Sequence, residues 1–301
     1  MLPFVSVCTP TFNRRPFIPM MLQCFEHQTY PKERMEWIIV DDGSDPVEDL
    51  IVAANVPQIK YVKLTERVPL GKKRNVMHQH VTGDFVVYMD DDDYYPPERV
   101  EHAVDMLQKN PWALCAGSSV LHIYFKHVDK IMEFGPYGKF HATAGTFAFR
   151  KVLLNDTAYQ NDAALGEEKA FLKNYTVPMV QLDPFKVILV FSHPHNTFDK
   201  KRLLLNPSKT VVKETALPFS AFGMPPDMVD FFTDRMHVAL AAYGPGDPVF
   251  KPDVQQANQA AAFSVKFGDR ILTGQKILDH LNDQQRLIDL LKLRLKQLTD
   301  R

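Results

Sequence analysis

Four consecutive aspartates, Asp90-Asp91-Asp92-Asp93, follow directly on the apolar run Phe85-Val86-Val87-Tyr88-Met89. Adjacent carboxylates repel, and at the end of a buried strand they raise one another's pKa unless a cation holds them. Extended geometry puts alternate side chains on one side, so Asp90 and Asp92 can converge. A hard divalent ion, Mn2+ or Mg2+, suits that oxygen pair, with substrate phosphates completing its shell. The alternative is a solvated acidic turn leading into the helix begun by Pro96-Pro97, where acids suit the helix N-terminus. The buried strand feeding straight into the acids favours the metal.

Two other strand ends are polar: Thr9-Pro10-Thr11-Phe12-Asn13-Arg14 and Asp41-Asp42-Gly43-Ser44. Three polar strand ends on one edge of a parallel sheet define a ligand crevice. Asp41 or Asp42 can accept the imide N–H of uracil while Phe12 stacks on the base, the alternative being an Asx-type turn with Gly43. Lys72-Lys73-Arg74 opens a helix after Gly71. Cations there oppose the helix dipole unless an anion such as a diphosphate binds, and the alternative is a solvated basic turn. Glu167-Glu168 begins another helix; either acid could serve as a general base, or both simply compensate the dipole. His193 and His195, after the strand at 187–191, could ligate the metal, contact phosphate, or be structural.

The elements that must position these residues alternate over 1–110: strands at 4–8, 37–40, 59–64 and 85–89, with helices at 18–27, 47–54, 72–80 and 98–109. Continuous apolar strands separated by helices predict an α/β fold with a largely parallel sheet covered on both faces. Residues 112–200 read as more β-like, with a short helix at 167–174, and should form a mixed sheet whose later strands build the far wall of the cleft. Prolines punctuate the chain after about residue 203, and long helical patterns follow. Ile277, Leu281, Gln284, Ile288, Leu291, Leu295 and Leu298 step by four and three, the spacing of either a docked amphipathic helix or a short coiled coil joining copies of the chain.

Composition narrows the function. The 301 residues carry 35 basic and 36 acidic side chains, a net charge of −1, which disfavours a bulk nucleic-acid binder. No apolar run approaches the length of a membrane span, and the N-terminus lacks the pattern of a secretory leader. Cys8, Cys24 and Cys115 lack metal-like spacing and read as reduced packing residues of a cytoplasmic protein.

In this order, residues 5–14, Gln28-Thr29-Tyr30-Pro31, residues 38–44, residues 71–75, Gly83-Asp84 ahead of residues 89–93, Gly166-Glu167-Glu168 and residues 193–197 resemble the family 2 glycosyltransferases of the GT-A fold. The likeness covers about residues 3–200. It implies inverting transfer of a sugar from a nucleotide-diphosphate donor, usually a UDP-sugar, to a glycan, lipid-linked or protein acceptor, with a peripheral membrane location compatible. Asp90 and Asp92 would match the DxD motif, Asp92 as the direct ligand, with His193 and His195 as further metal candidates. Pro10, Thr11, Phe12, Arg14, Asp41, Asp42, Lys72, Arg74, Asp90 and Asp91 would line the nucleotide-sugar site. Glu168 stands where the family usually has an aspartate base, which leaves Glu167 and Glu168 both open. The expected organisation is a GT-A domain over 1–203, split into a nucleotide-binding half (1–110) and an acceptor-side half (111–203), then a helical region over 204–301. Competing readings are a catalytically inactive nucleotide-sugar-binding scaffold and a sugar nucleotidylyltransferase, whose Gly-rich loop is absent from residues 9–14.

Overall fold

The computed structural model describes residues 2–205, 211–262, 264–267, 270–273 and 275–299. The chain forms two units, one running to Phe250 and one from Lys251 onward.

The first unit is built on two sheets. Strands β1 (Val5–Thr11), β2 (Met35–Asp41), β3 (Ile59–Lys63), β4 (Phe85–Tyr88), β5 (Cys115–Gly117), β6 (Leu121–Phe125), β7 (Lys130–Phe134), β8 (Ala148–Arg150), β9 (Met179–Gln181), β10 (Leu189–Ser192) and β11 (Val212–Glu214) follow in chain order. The larger sheet has the order β3-β2-β1-β4-β8-β5-β9, and the smaller β10-β6-β7-β11. β1 to β4 are mutually parallel, and β8 runs antiparallel to β4 and β5. Helices α1 (Ile18–Glu26), α2 (Glu48–Ala54), α3 (Leu70–Gln79), α4 (Arg99–Lys109), α5 (Glu168–Phe171), α6 (Arg202–Leu205), α7 (Pro226–Asp230) and α8 (Met236–Ala241) complete this unit.

Strand alternation explains the two-sided burial. Val5, Val7, Trp37, Ile39, Phe85 and Val87 enter one core, while Cys8, Ile38, Val40, Val86 and Tyr88 enter the other. A parallel sheet covered on both faces needs apolar residues at successive positions, and that requirement made these strands readable. All three cysteines are free and buried.

The far wall of the cleft is a separate sheet, and one contact fixes where it meets the first. β10 runs against the chain just past the aspartates: Tyr94 and Leu189 exchange backbone hydrogen bonds of 3.1 and 2.9 Å, and Asp93 Oδ1 accepts from the Phe191 N–H at 2.9 Å. The helix expected over 167–174 stops at Phe171. Lys173, Asn174 and Tyr175 all have positive φ, at 49°, 57° and 61°. Left-handed backbone costs a non-glycine residue about 1–2 kcal/mol, so three in succession are a strained turn held by its surroundings.

The second unit contains α9 (Pro252–Ala262), a hairpin of β12 (Ser264–Phe267) and β13 (Arg270–Thr273), and α10 (Gln275–Thr299). Neither that hairpin nor β11, which pairs with β7, is visible in the helical periodicity of the tail. Along α10, Leu281, Ile288 and Leu291 are exposed and Ile277 is half-buried. The side chains of Leu295 and Leu298 lie outside the described residues.

Candidate active site

The register of the parallel strands brings their polar ends together. Thr11 of β1 lies beside Asp41 of β2, and Cys8 lies beside Tyr88 of β4, so Asp90 to Asp93 emerge on the same edge. Fully buried Arg99 fixes the chain there by donating to the carbonyls of Tyr88, Thr146 and Phe147.

Arg14 is the hub of the acidic cluster. Its Nη2 donates to Asp92 Oδ2 at 3.2 Å and to the His195 carbonyl at 2.8 Å, and its Nε lies 3.5 Å from Asp91 Oδ1. Burial opposes the charge on Asp92, yet Arg14 and the neighbouring His193 hold its carboxyl well below the usual range. Burial, with Asp92 beside it, pushes Asp91 up to about 7 despite Arg14. Burial also raises Asp90 and Asp93. These carboxylates are thus short of positive charge, although Lys200 acts on Asp90, Asp92 and Asp93 from the loop after β10.

Asp90 occupies the cleft between Tyr95 and Gly145. Its backbone N–H donates to the Tyr95 hydroxyl at 2.7 Å, and a Cβ on Gly145 would come within 2.9 Å of its Oδ2. Arg74 faces it from α3, with Nη2 at 3.7 Å from Asp90 Oδ1 and Nε donating to Glu167 Oε1 at 3.0 Å. The Arg74 guanidinium lies 4.6 Å from the centre of the Tyr88 ring and 5.8 Å from that of Tyr159. Among the described residues its Nη1 has no hydrogen-bond partner. Glu167 is therefore committed to Arg74, whereas burial, reinforced by the charge of Glu167, raises the pKa of half-buried Glu168. Lys72 is exposed; Lys73, not Lys72, is buried, and it bonds Asp42 and the Thr11 carbonyl.

The two aspartates at the end of β2 have different partners. Asp41 Oδ1 accepts from Gly43 N at 2.8 Å, and its Oδ2 accepts from Val47 N at 3.0 Å and the Tyr61 hydroxyl at 2.7 Å. It closes the turn, and Gly43 is required there because a Cβ would sit 2.6 Å from Asn13 Oδ1. Asp42 binds Lys73 and accepts from Val68 N at 2.8 Å. Phe12 is buried, with Arg67 and Lys73 at 5.5 and 5.6 Å from its ring centre, and Pro10 is partly exposed beside it. Replacing Asp41 with alanine leaves two N–H groups and a hydroxyl unpaired. We expect a loss of about 3 kcal/mol in chemical denaturation, with nucleotide affinity of the folded protein unchanged. Weakened nucleotide binding at full stability would instead give Asp41 the base-reading role.

His193 meets Asp92 from the opposite sheet, with Nε2 at 3.2 Å from Oδ2. Asn196 Oδ1 accepts the His193 backbone N–H at 2.8 Å, which turns its Nδ2 toward His193 Nε2, also at 2.8 Å. Burial chiefly lowers the His193 pKa to about 3, so its ring is neutral. His193 Nε2 and Asp92 Oδ2 face each other closely enough to be neighbouring ligands of one divalent cation. His195 presents its carbonyl to Arg14, and its ring packs near Gly246 and Tyr243. Among the described residues no three His, Cys, Asp or Glu side chains converge as a complete cage. The donor set thus fits an ion bound by one or two carboxylates plus substrate phosphates, the usual manner for Mg2+. Asn196 stood in the 193–197 motif without a role of its own, and Lys200 and Tyr95 had no sequence signal beyond proximity to the motifs.

Behind Arg74, His78 packs among Tyr88, Phe149, Tyr159 and Phe171 and bonds the Tyr88 hydroxyl at 2.6 Å. Burial, aided by Arg74, lowers its pKa from 6.5 to about 3. The folded protein therefore prefers the neutral ring, and this contribution is complete above about pH 6.5 and is lost as pH falls toward 3. Stability should drop by about 1.5 kcal/mol between pH 6.5 and 5 from this residue. His78→Phe should flatten the pH dependence of denaturant midpoints in that window; an unchanged slope would show that His78 does not carry it.

The sequence profile of glycosyl transferase family 2 matches residues 6–161, just over half of the chain. The chain belongs to glycosyl transferase family 2. Its sequence is similar to an uncharacterised glycosyltransferase of Haemophilus influenzae, at 29% identity over 108 residues, covering 36% of this chain and 35% of that protein. It is also similar to the poly(ribitol-phosphate) beta-N-acetylglucosaminyltransferase TarS of Staphylococcus aureus, at 32% over 127 residues, covering 41% of this chain and 21% of TarS. The matches thus span about a third of the first relative's length and a fifth of the second's. Among solved structures, the mannosyltransferase PcManGT of Pyrobaculum calidifontis, in complex with GDP-Man and Mn2+, aligns with a TM-score of 0.54 at 17% identity, over 89% of this chain and 77% of that one. The fold of this family 2 member is the GT-A arrangement, a parallel-rich mixed α/β sheet with helices toward the C-terminus. Among the described residues no helix is long and apolar enough to cross a membrane.

Proposed function

We propose that this chain is an inverting, divalent-metal-dependent glycosyltransferase that uses a UDP-sugar donor. The observation that supports this most is the juxtaposition, in one cleft, of a buried aspartate cluster with a buried arginine whose Nη1 has no hydrogen-bond partner among the described residues. Asp92, Asp90 and His193 would hold Mn2+ or Mg2+, with His195 contributing through its carbonyl to the placement of Arg14. When bound, the ion neutralises charge on the departing diphosphate. Arg14 holds Asp91 and Asp92 in position, and Arg74 Nη1 donates to a diphosphate oxygen. Pro10, Thr11, Phe12 and Asp42 would receive the base, and Glu168 would take the acceptor's hydroxyl proton on the face opposite the leaving group.

A thermal-shift panel of UDP, GDP and dTDP, each with Mn2+, tests the donor site, because a true ligand stabilises by mass action. Stabilisation by UDP with Mn2+ and release of UDP from a UDP-sugar are expected. Binding of UDP without any hydrolysis or transfer would favour the inactive scaffold, and pyrophosphate release would favour a nucleotidylyltransferase.

The exposed Leu281, Ile288 and Leu291 on α10 favour the coiled-coil reading of the tail. We expect light scattering to give an oligomer that dissociates when these three are changed to serine, and a monomeric wild type would remove the proposal. A cytoplasmic site, at most peripheral to a membrane, accords with the three free, buried cysteines.

A further inference from the structure

Around the loop at 137–141 and the turn that follows α5, the protein carries a row of rings that the donor chemistry does not use. Tyr137 and His141 have ring centres 5.0 Å apart, and His141 and Tyr175 4.9 Å apart, with interplanar angles of 48° and 31°. Tyr137 is exposed and the other two are half-exposed. Both supports of the row are fixed. Gln181 Nε2 donates to the carbonyls of Lys139 and His141 at 2.9 and 3.1 Å, while its Oε1 accepts from Ser119 N at 2.7 Å. Tyr175 ends the left-handed turn formed with Lys173 and Asn174, a conformation that bulky residues avoid. The same short segment begins with Glu168, and the charge of Glu168 acts on the Tyr175 phenol, whose pKa burial raises first.

We propose that Tyr137, His141 and Tyr175 form a platform on which the sugar ring of a saccharide acceptor packs, leading its reactive hydroxyl to Glu168. The assignment rests on the glycosyl-transfer reading above and names the acceptor class it left open. A sugar ring has an apolar C–H face bounded by hydroxyls, and a tilted row of partly exposed rings matches such a face. A lipid tail would need a continuous apolar groove, but Gly138, Lys139, Lys173 and Asn174 flank the rings and are exposed.

Saturation-transfer NMR on the full chain with UDP and Mn2+ tests this, using methyl β-glycosides of glucose, galactose and N-acetylglucosamine as probes. At least one should show transfer to its ring protons. Tyr137→Ala and Tyr175→Ala should each weaken that glycoside about tenfold, while Tyr137→Phe and Tyr175→Phe retain binding. Tyr137 lies on an exposed loop, so its alanine variant reports even where Tyr175→Ala unfolds. UDP binding with no glycoside signal from the wild type, or equal glycoside binding by wild type and Tyr137→Ala, overturns the platform. A serine peptide binding in place of every glycoside does the same. Loss of UDP binding itself would instead strike the donor-site reading.

Discussion

Asp92→Asn should lower kcat/KM for transfer by about a thousandfold, with a melting temperature within a few degrees of wild type. Asparagine keeps the shape but removes the charge that Arg14 and His193 hold ionised. Arg14 retains Asp91 and the His195 carbonyl, so the hub does not become an unpaired buried cation. Asp93→Asn makes the control: Asp93 Oδ1 serves the backbone of β10, and an amide oxygen can accept the same N–H. Its effect on transfer should stay within about threefold. The comparison is read from initial rates across a Mn2+ titration. Equal losses in both variants would mean that the cluster matters for its fold alone, and undiminished transfer by Asp92→Asn would end its assignment as a metal ligand.

What the sequence disclosed follows from where physics leaves a pattern. Strands buried on both faces must be apolar at successive positions, so β1, β2 and β4 and their polar ends were legible. The turn at Lys173–Tyr175 was not, because none of its three residues is glycine and nothing local announces left-handed backbone. The approach of β10 to Tyr94 depends on pairing across about a hundred residues, which periodicity does not encode. Chemically alike neighbours were the other limit. Asp41 and Asp42 differ only in which meets the N–H groups of Gly43 and Val47, and Glu167 and Glu168 only in which reaches Arg74. Residue type and spacing offered the candidates, whereas the hydrogen-bond partners seen only in the folded chain distinguish the members of each pair.

That division makes Glu168→Gln the sharper test of mechanism. Glu167 is tied to Arg74, so removing its charge should act on the donor: Glu167→Gln should raise the donor KM more than it lowers kcat. Among the described residues Glu168 makes no such bond to Arg74, and burial together with Glu167 raises its pKa above the ordinary 4.5. A base must be ionised to act yet gains proton affinity as its pKa rises, so a raised carboxylate suits proton removal near neutral pH. Glu168→Gln should cut kcat by about a thousandfold and leave UDP affinity unchanged. The acid limb of the wild-type rate profile, displaced upward from the usual glutamate range, should vanish in this variant. Glu168→Asp should recover part of the rate, since it keeps the carboxylate and shortens its reach by one methylene. If Glu167→Gln loses more kcat than Glu168→Gln, or the acid limb survives in Glu168→Gln, the proton is taken by another group.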